Sequence, residues 1–400
     1  MRSTKASSRL ILVLFIFLQF FATNTLFAKG GMAIKIAYLM QTPKVHPPLS
    51  NLDPVIENKG ILGAELAVED NNTTGKFTKQ KFSLEKFIVP ADGSVTDTYN
   101  KKIAKKYAFV VTNLSPDLTS VIADATLANE GLVFDAATVD DASRNKDCRS
   151  NVMHLLPSRA MRTDALAQYM VKKRWTKWFL VIGNTEEDKR YAEAIKRSAK
   201  KFNLKIVQEK TWAHTADARR TAQSEVAVFT QIDDDYDVLV VADEQGQFGE
   251  YLDYRTWIPR PVIGTQGLVA TSWHRAHEQW GAVQMQNRFK DQAGRWMEEQ
   301  DYGAYLAVRA IGEAASRVQS NALKPVKDYL LSDQFALQGY KGLALSFRPW
   351  DNQLRQPVLL AAPRSLVAVA PIEGFLHPKT ELDTLGYDQP ETGCQWSKSK

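Results

Sequence analysis

The sequence predicts an α/β protein of two Rossmann-like lobes, each a parallel sheet wound with helices, joined by a hinge. Short apolar segments alternate with amphipathic ones from Ala33 onward, the pattern of parallel strands linked by crossover helices. Segments such as "VLVV" (238–241) are apolar without alternation, as strands buried on both faces are. The units fall into two successive sets in a 400-residue chain, which is too long for one ordinary core.

The first set begins with the strand "AIKIAYLM" (33–40) and the helix "NKGILGAELAVEDNN" (58–72), whose apolar positions are Ile61, Ala64, Leu66 and Val68. "KFSLEKFIV" (81–89) alternates with period two, a strand with one wet face. "YAFVVTNL" (107–114), the helix "LTSVIADATLANE" (118–130) and the strand "GLVFDAAT" (131–138) follow. The second set opens with the helix at 158–174, then the strand "WFLVIGNT" (178–185) and the helix at 190–203. It continues through "KIVQEKTW" (205–212), "YDVLVVADE" (236–244) and "RPVIGTQ" (260–266). A long helix is expected over 301–318, and a β-hairpin turning at Asp351–Asn352. The expected division is a first lobe of 33–157 plus 267–335, a second of 158–266 plus 336–380, and a polar surface tail at 381–400.

The amino terminus has the three regions of a secretory signal peptide: cationic "MRSTKASSR", apolar "LILVLFIFLQFF" and a small or polar "ATNTLFA". The expected signal peptide is residues 1–28, and its removal makes the working protein exported. The formal charge of +6 then shrinks, because Arg2, Lys5 and Arg9 are lost from 51 basic residues against 45 acidic ones. Lys and Arg are scattered rather than clustered, which argues against a nucleic-acid partner. Cys148 and Cys394 are the two cysteines, and export permits one disulfide between them.

"GILGAELAVEDNNTTG", "FVVTNLSPDLTSVIADATLANEGLVFDAAT" and "WTKWFLVIGNTEEDKRYAEAIKRSAKKF" together resemble the type I periplasmic solute-binding proteins of the leucine/isoleucine/valine-binding group. "WHRAHEQWGAVQMQNRF", "LSFRPWDNQLRQPVLL" and "LDTLGYDQPETGC" resemble a narrower subfamily linked to pyrroloquinoline quinone-dependent alcohol oxidation. The resemblance implies a Venus-flytrap architecture and a periplasmic substrate-binding component of an ABC transporter. It implies an inner-membrane permease as partner, with pyrroloquinoline quinone as a candidate ligand and a quinoprotein dehydrogenase as a candidate second partner. An amino acid, amide or aromatic acid is the alternative ligand, and a cofactor-handling accessory protein the alternative role. Two departures bear on the ligand. "TNLSPD" (112–117) stands where amino-acid binders have a Gly-rich loop, and "DAAT" (135–138) begins with Asp135.

No nucleophile elbow, dinucleotide fingerprint, phosphate loop or H-E-x-x-H motif is present, so no catalytic residue, required cofactor or metal site is assigned. Ligands of parallel α/β sheets lie beyond the carboxyl ends of the strands. The candidate ligand-binding residues there are Asn113, Ser115, Asp135, Thr138, Asp243 and Gln266. A planar anion also needs aromatic faces and cations, for which Trp212, Trp257, Trp273, His274, Arg159, Arg162, Arg255 and Arg275 are the candidates. The stretch "TSWHRAHEQW" (271–280) is expected to run from a cleft loop into a helix. Trp273 and His274 would then face ligand, while His277 and Trp280 pack in the core.

Overall fold

The computed structural model describes residues 31–43, 55–212, 225–253 and 255–397. The expected signal peptide lies outside the described residues. The first sheet contains β1 (Met32–Gln41), β2 (Gln80–Val89), β3 (Phe109–Asn113), β4 (Leu132–Asp135) and β5 (Val152–His154). Their order is β2-β1-β3-β4-β5 and every pairing is parallel. Helices α1 (Ile61–Thr78) and α2 (Pro116–Ala128) link these strands. The second sheet repeats that order with β6 (Lys177–Ile182), β7 (Lys205–Thr211), β8 (Val238–Ala242), β9 (Val262–Gly264) and β10 (Leu268–Thr271). Helices α3 (Arg159–Lys173) and α4 (Glu186–Lys201) cover it. Two antiparallel strands, β14 (Val358–Ala362) and β15 (Ser365–Ala370), extend it beyond β10. The expected parallel α/β class is the observed one.

After β10 come α5 (Ala282–Ala293), α6 (Glu299–Val318) and α7 (Leu323–Leu330), all packed into the first core. Helices α1 and α6 run close together, with Gly63 against the Asp301 backbone and Gly312 against Asn71. A Cβ at Gly63 would lie 1.9 Å from the Asp301 carbonyl oxygen, so only glycine permits this approach. The short strands β11 (Leu337–Gln338), β12 (Ala344–Phe347) and β13 (Leu354–Arg355) also belong to the first lobe; Leu345, Phe347 and Leu354 lie in its core. The expected hairpin through Asp351–Asn352 joins β12 to β13.

The chain crosses between lobes at residues 155–158, 271–273 and 355–358. The boundaries drawn at 266/267 and 335/336 are therefore corrected. Residues 267–271 join the second sheet, and 336–355 stay with the first lobe, because the apolar side chains of each segment enter those cores. The first and third crossings are tied to each other. Gln356 donates to the Leu155 carbonyl at 2.5 Å, and the buried Lys341 Nζ donates to Gln356 Oε1 at 2.8 Å and the Pro357 carbonyl at 2.9 Å.

The end of the chain is not a loose tail. Leu385 is buried in the second core, and the Gly386 N–H donates to the Asp164 carboxylate of α3 at 2.9 Å. Asp383 accepts from Arg348 at 2.9 Å and from Arg355 at 2.8 Å. Cys394 then bonds Cys148 in the loop between β4 and β5. One strap thus touches both lobes. Its polar composition reflects ion-pair partners rather than solvation.

Candidate functional site

The strand-end loops are where the sequence places a ligand, yet most of their donors are already engaged. Asp135 is fully buried at the end of β4 and accepts from the Thr138 N–H at 3.0 Å, the Ala137 N–H at 3.2 Å and the Thr138 hydroxyl. The His154 ring nitrogen lies 3.0 Å from the same carboxylate. Asp243 repeats the device after β8, accepting from the N–H groups of Gln247 at 2.9 Å, Phe248 at 2.8 Å and Gly249 at 2.6 Å. Ser115 caps α2 by accepting from the Leu118 N–H, and Asn113 donates to the Lys59 carbonyl at 2.8 Å. Gln266 packs over Gly249. Asp135, Thr138, Asp243 and Ser115 therefore hold their own loops in shape, and Asn113 ties its strand end to the start of α1. A short side-chain acceptor beside free N–H groups satisfies them before any solute can.

The aromatic and cationic candidates are scattered. Trp212 is buried and stacks on Phe248 with centroids 5.1 Å apart, so it is a packing residue rather than a ligand face. Trp257 is exposed and Arg255 lies over the Tyr251 ring; neither meets the other candidates. Arg162 pairs with Glu299 across the lobes at 2.9 Å. His274 is half-buried, accepts from the Ala276 N–H at 3.1 Å, and is held below its ordinary pKa by burial and then by Arg275. The expected helix over 271–280 is absent: the segment is a loop, and α5 begins only at Ala282. Trp273 is buried, stacked on Tyr302 at 4.4 Å, whereas Trp280 is 66% exposed with a positive φ. The burial expected of these two tryptophans is thus reversed. His277, with Nε2 2.7 Å from the Tyr340 carbonyl oxygen, is packed inside as expected.

What spans the gap is charge. Arg159, at the start of α3, meets Glu244 of its own lobe at 2.6 Å and Asp140 of the first lobe at 3.2 Å, and Arg190 lies 3.8 Å from Asp140. Burial opposes ionisation of Glu299, but Arg162 and the Ser272 N–H outweigh it and hold the carboxyl below its ordinary value. Both Asp140 and Glu299 are largely covered, so these pairs are less screened than surface ones. Replacing Asp140 with Asn is expected to shift the lobes about tenfold or more toward separation, for a loss of about 1–3 kcal/mol. Inter-lobe fluorescence energy transfer would read that shift; unchanged transfer would remove the pair from any role in closure.

Behind the strand ends lies a buried polar cluster. Arg144 donates to Gln353 at 2.6 Å and to the Thr138 carbonyl at 2.8 Å. Burial and then the Arg144 charge depress the His154 pKa from 6.5 to about 4, with Asp135 opposing. Burial raises Asp351 from 3.8 to about 6, with Arg348 opposing. The depressed histidine contributes stability that is full above pH 6.5 and is lost as pH falls toward 4. The raised carboxyl contributes in the opposite sense, full below pH 3.8 and lost as pH rises through 6. Between pH 4 and 6 the two offset. Asp351→Asn is expected to expose the histidine effect, steepening acid destabilisation by up to about 3 kcal/mol between pH 6.5 and 4. Urea midpoints at several pH values test this, and an unchanged slope would contradict it.

Another inter-lobe feature went unread in the sequence. A groove of about 570 Å³ lies between the lobes, lined by Arg275, Ala276, Glu278 and Trp296 from the first and Arg364, Ser365 and Leu366 from the β14–β15 hairpin. Of the residues the sequence offers for binding, only Arg275 lines it. Its walls come from three segments distant in the chain, which no local pattern connects.

Two lobes of the same strand order are joined by three crossings and held by ion pairs across the gap. That architecture is the fold of type I periplasmic binding protein structures. Residues 56–225 match the family profile described as periplasmic binding protein. A branched-chain amino acid ABC transporter periplasmic ligand-binding protein from Burkholderia xenovorans is similar in structure (TM-score 0.69, 14% identity, 91% of this chain and 100% of that one). So is a leucine-, isoleucine-, valine-, threonine- and alanine-binding protein from Brucella ovis in a closed conformation (0.64, 14%, 89% and 94%). A solute-binding protein of an ABC transporter from R. palustris, in complex with benzoate, gives 0.63 at 12% identity over 91% and 99%. No curated protein matches the chain in sequence.

Proposed function

We propose that the protein is the periplasmic solute-binding component of an ABC importer, a non-enzymatic carrier that closes its lobes over a small organic solute and presents it to an inner-membrane permease. The observation that carries this reading is the set of inter-lobe ion pairs, Arg159–Asp140 and Arg162–Glu299, beside three crossings between the lobes. A closed form held by such contacts is separated from an open one by a few kcal/mol, which a bound solute can tip. The ligand we propose is a planar anion, pyrroloquinoline quinone or a related aromatic acid. The sequence resemblance supports the quinone, and the benzoate held by the R. palustris protein supports an aromatic acid. Self-capping at Asp135 and Asp243 speaks against an α-amino acid held by backbone N–H groups, as it leaves those donors occupied. A quinoprotein dehydrogenase as second partner rests on the sequence resemblance alone. Labelled lobes titrated with pyrroloquinoline quinone and with benzoate should close, as read by energy transfer, and the tryptophan emission should change. No closure and no heat with either would defeat the ligand assignment.

A further inference from the structure

We infer that the inter-lobe groove between Trp296 and the β14–β15 hairpin is the acid-recognition site, and that it takes an aromatic carboxylate carrying more than one acid group. This rests on the solute-binding reading and gives it a location. The strand-end loops spend their N–H groups on Asp135 and Asp243, and the cations nearest them, Arg159 and Arg162, already face Glu244, Asp140 and Glu299. The groove differs. Arg275 donates only to the Pro363 carbonyl, at 3.0 Å, and Arg364 has neither a carboxylate nor any other hydrogen-bond partner among the described residues. The indole of Trp296 is 38% exposed at the groove and carries the Lys290 ammonium 4.6 Å from its ring centroid, a third cation without a carboxylate. Ala276 and Leu366 give apolar surface, and Glu278 is the one acid in the lining.

Arg275 reaches across to the Pro363 carbonyl, so its guanidinium lies beside the hairpin that carries Arg364, and two such groups suit a flat molecule with more than one carboxylate. An exposed indole suits the ring between them. The volume of about 570 Å³ lies in the range of small-molecule sites. Arg275 and Trp296 belong to the first lobe and Arg364 to the second, so a ligand with two acid groups bridges the lobes. Its binding energy then acts directly on their relative position.

The test uses benzene-1,3,5-tricarboxylate as probe, with the neutral tricarboxamide as control, on the intact protein and on Arg275→Ala, Arg364→Ala and the double variant. Calorimetry should show binding of the tricarboxylate and not the tricarboxamide, weakened about ten- to a hundred-fold by each single change and further by both. Circular dichroism checks that the exposed substitutions leave the fold intact. Failure of the parent protein to bind the tricarboxylate, or equal affinity in the double variant, overturns the inference. Solute carried from the host at equal occupancy by parent and double variant overturns the location while the carrier reading stands. A parent that carries no solute and does not close defeats the carrier reading itself.

Discussion

Replacing Trp273 with Ala is expected to cost about 3–5 kcal/mol of stability, the range for removing a buried large aromatic. Trp273 is 3% exposed, lies flat on Tyr302 at 4.4 Å and meets the His277 ring edge-on at 5.7 Å. It sits just past the second crossing, so its loss opens a cavity where the first core meets the hinge. Trp280→Ala is the control. That ring is 66% exposed against Gly342, and its removal should change stability by about 0.5 kcal/mol or less. Urea denaturation followed by far-ultraviolet circular dichroism separates the two. Equal losses would contradict the packing described for this segment.

The second large effect concerns the strap. Cys148 and Cys394 are 246 positions apart, so their bond closes a long loop and restricts the unfolded chain strongly. Chain entropy alone gives about 5 kcal/mol for such a loop, and native bridges usually contribute about 2–5 kcal/mol. Cys394→Ser is expected to lose that amount. Adding reductant should lower the parent to the level of the variant and leave the variant unchanged. A variant as stable as the oxidised parent would show that the strap holds through its polar contacts alone, chiefly Asp383 with Arg348 and Arg355, and Gly386 with Asp164.

Most of the fold was legible because its strands announce themselves. Apolar runs such as 178–182 and 238–242 lie where both faces are buried, and the helices between them keep a clear amphipathic period. The missed strands include β15, of six residues, and two short ones. β5 has three residues and β10 four, too few for any period to show. The boundaries moved for the same reason, since β10 was read as the start of the next lobe. Residue count leaves Cys148 and Cys394 either bridged or as two free thiols, and the structure makes the bond.

The site was less legible. Asn113, Ser115, Asp135, Thr138 and Asp243 were placed correctly at strand ends, but sequence does not say whether a carboxylate faces a solute or turns back to cap its own loop. In "TSWHRAHEQW" the aromatic residues fall at helical spacing, yet a loop folded into a core produces the same spacing. Gly281, with φ of 83°, separates this loop from α5 and was the available signal. Arg364 lies in a hairpin turn that carries no motif, and only the fold brings it across from Arg275 and Trp296.

Native mass spectrometry of the protein purified from its host tests the central claim most directly. A carrier of the kind proposed should appear as the chain plus one small organic solute, released on unfolding and showing the mass and ultraviolet absorption of an aromatic acid. A bare chain that also fails to close on any solute recovered from the same host would contradict the account.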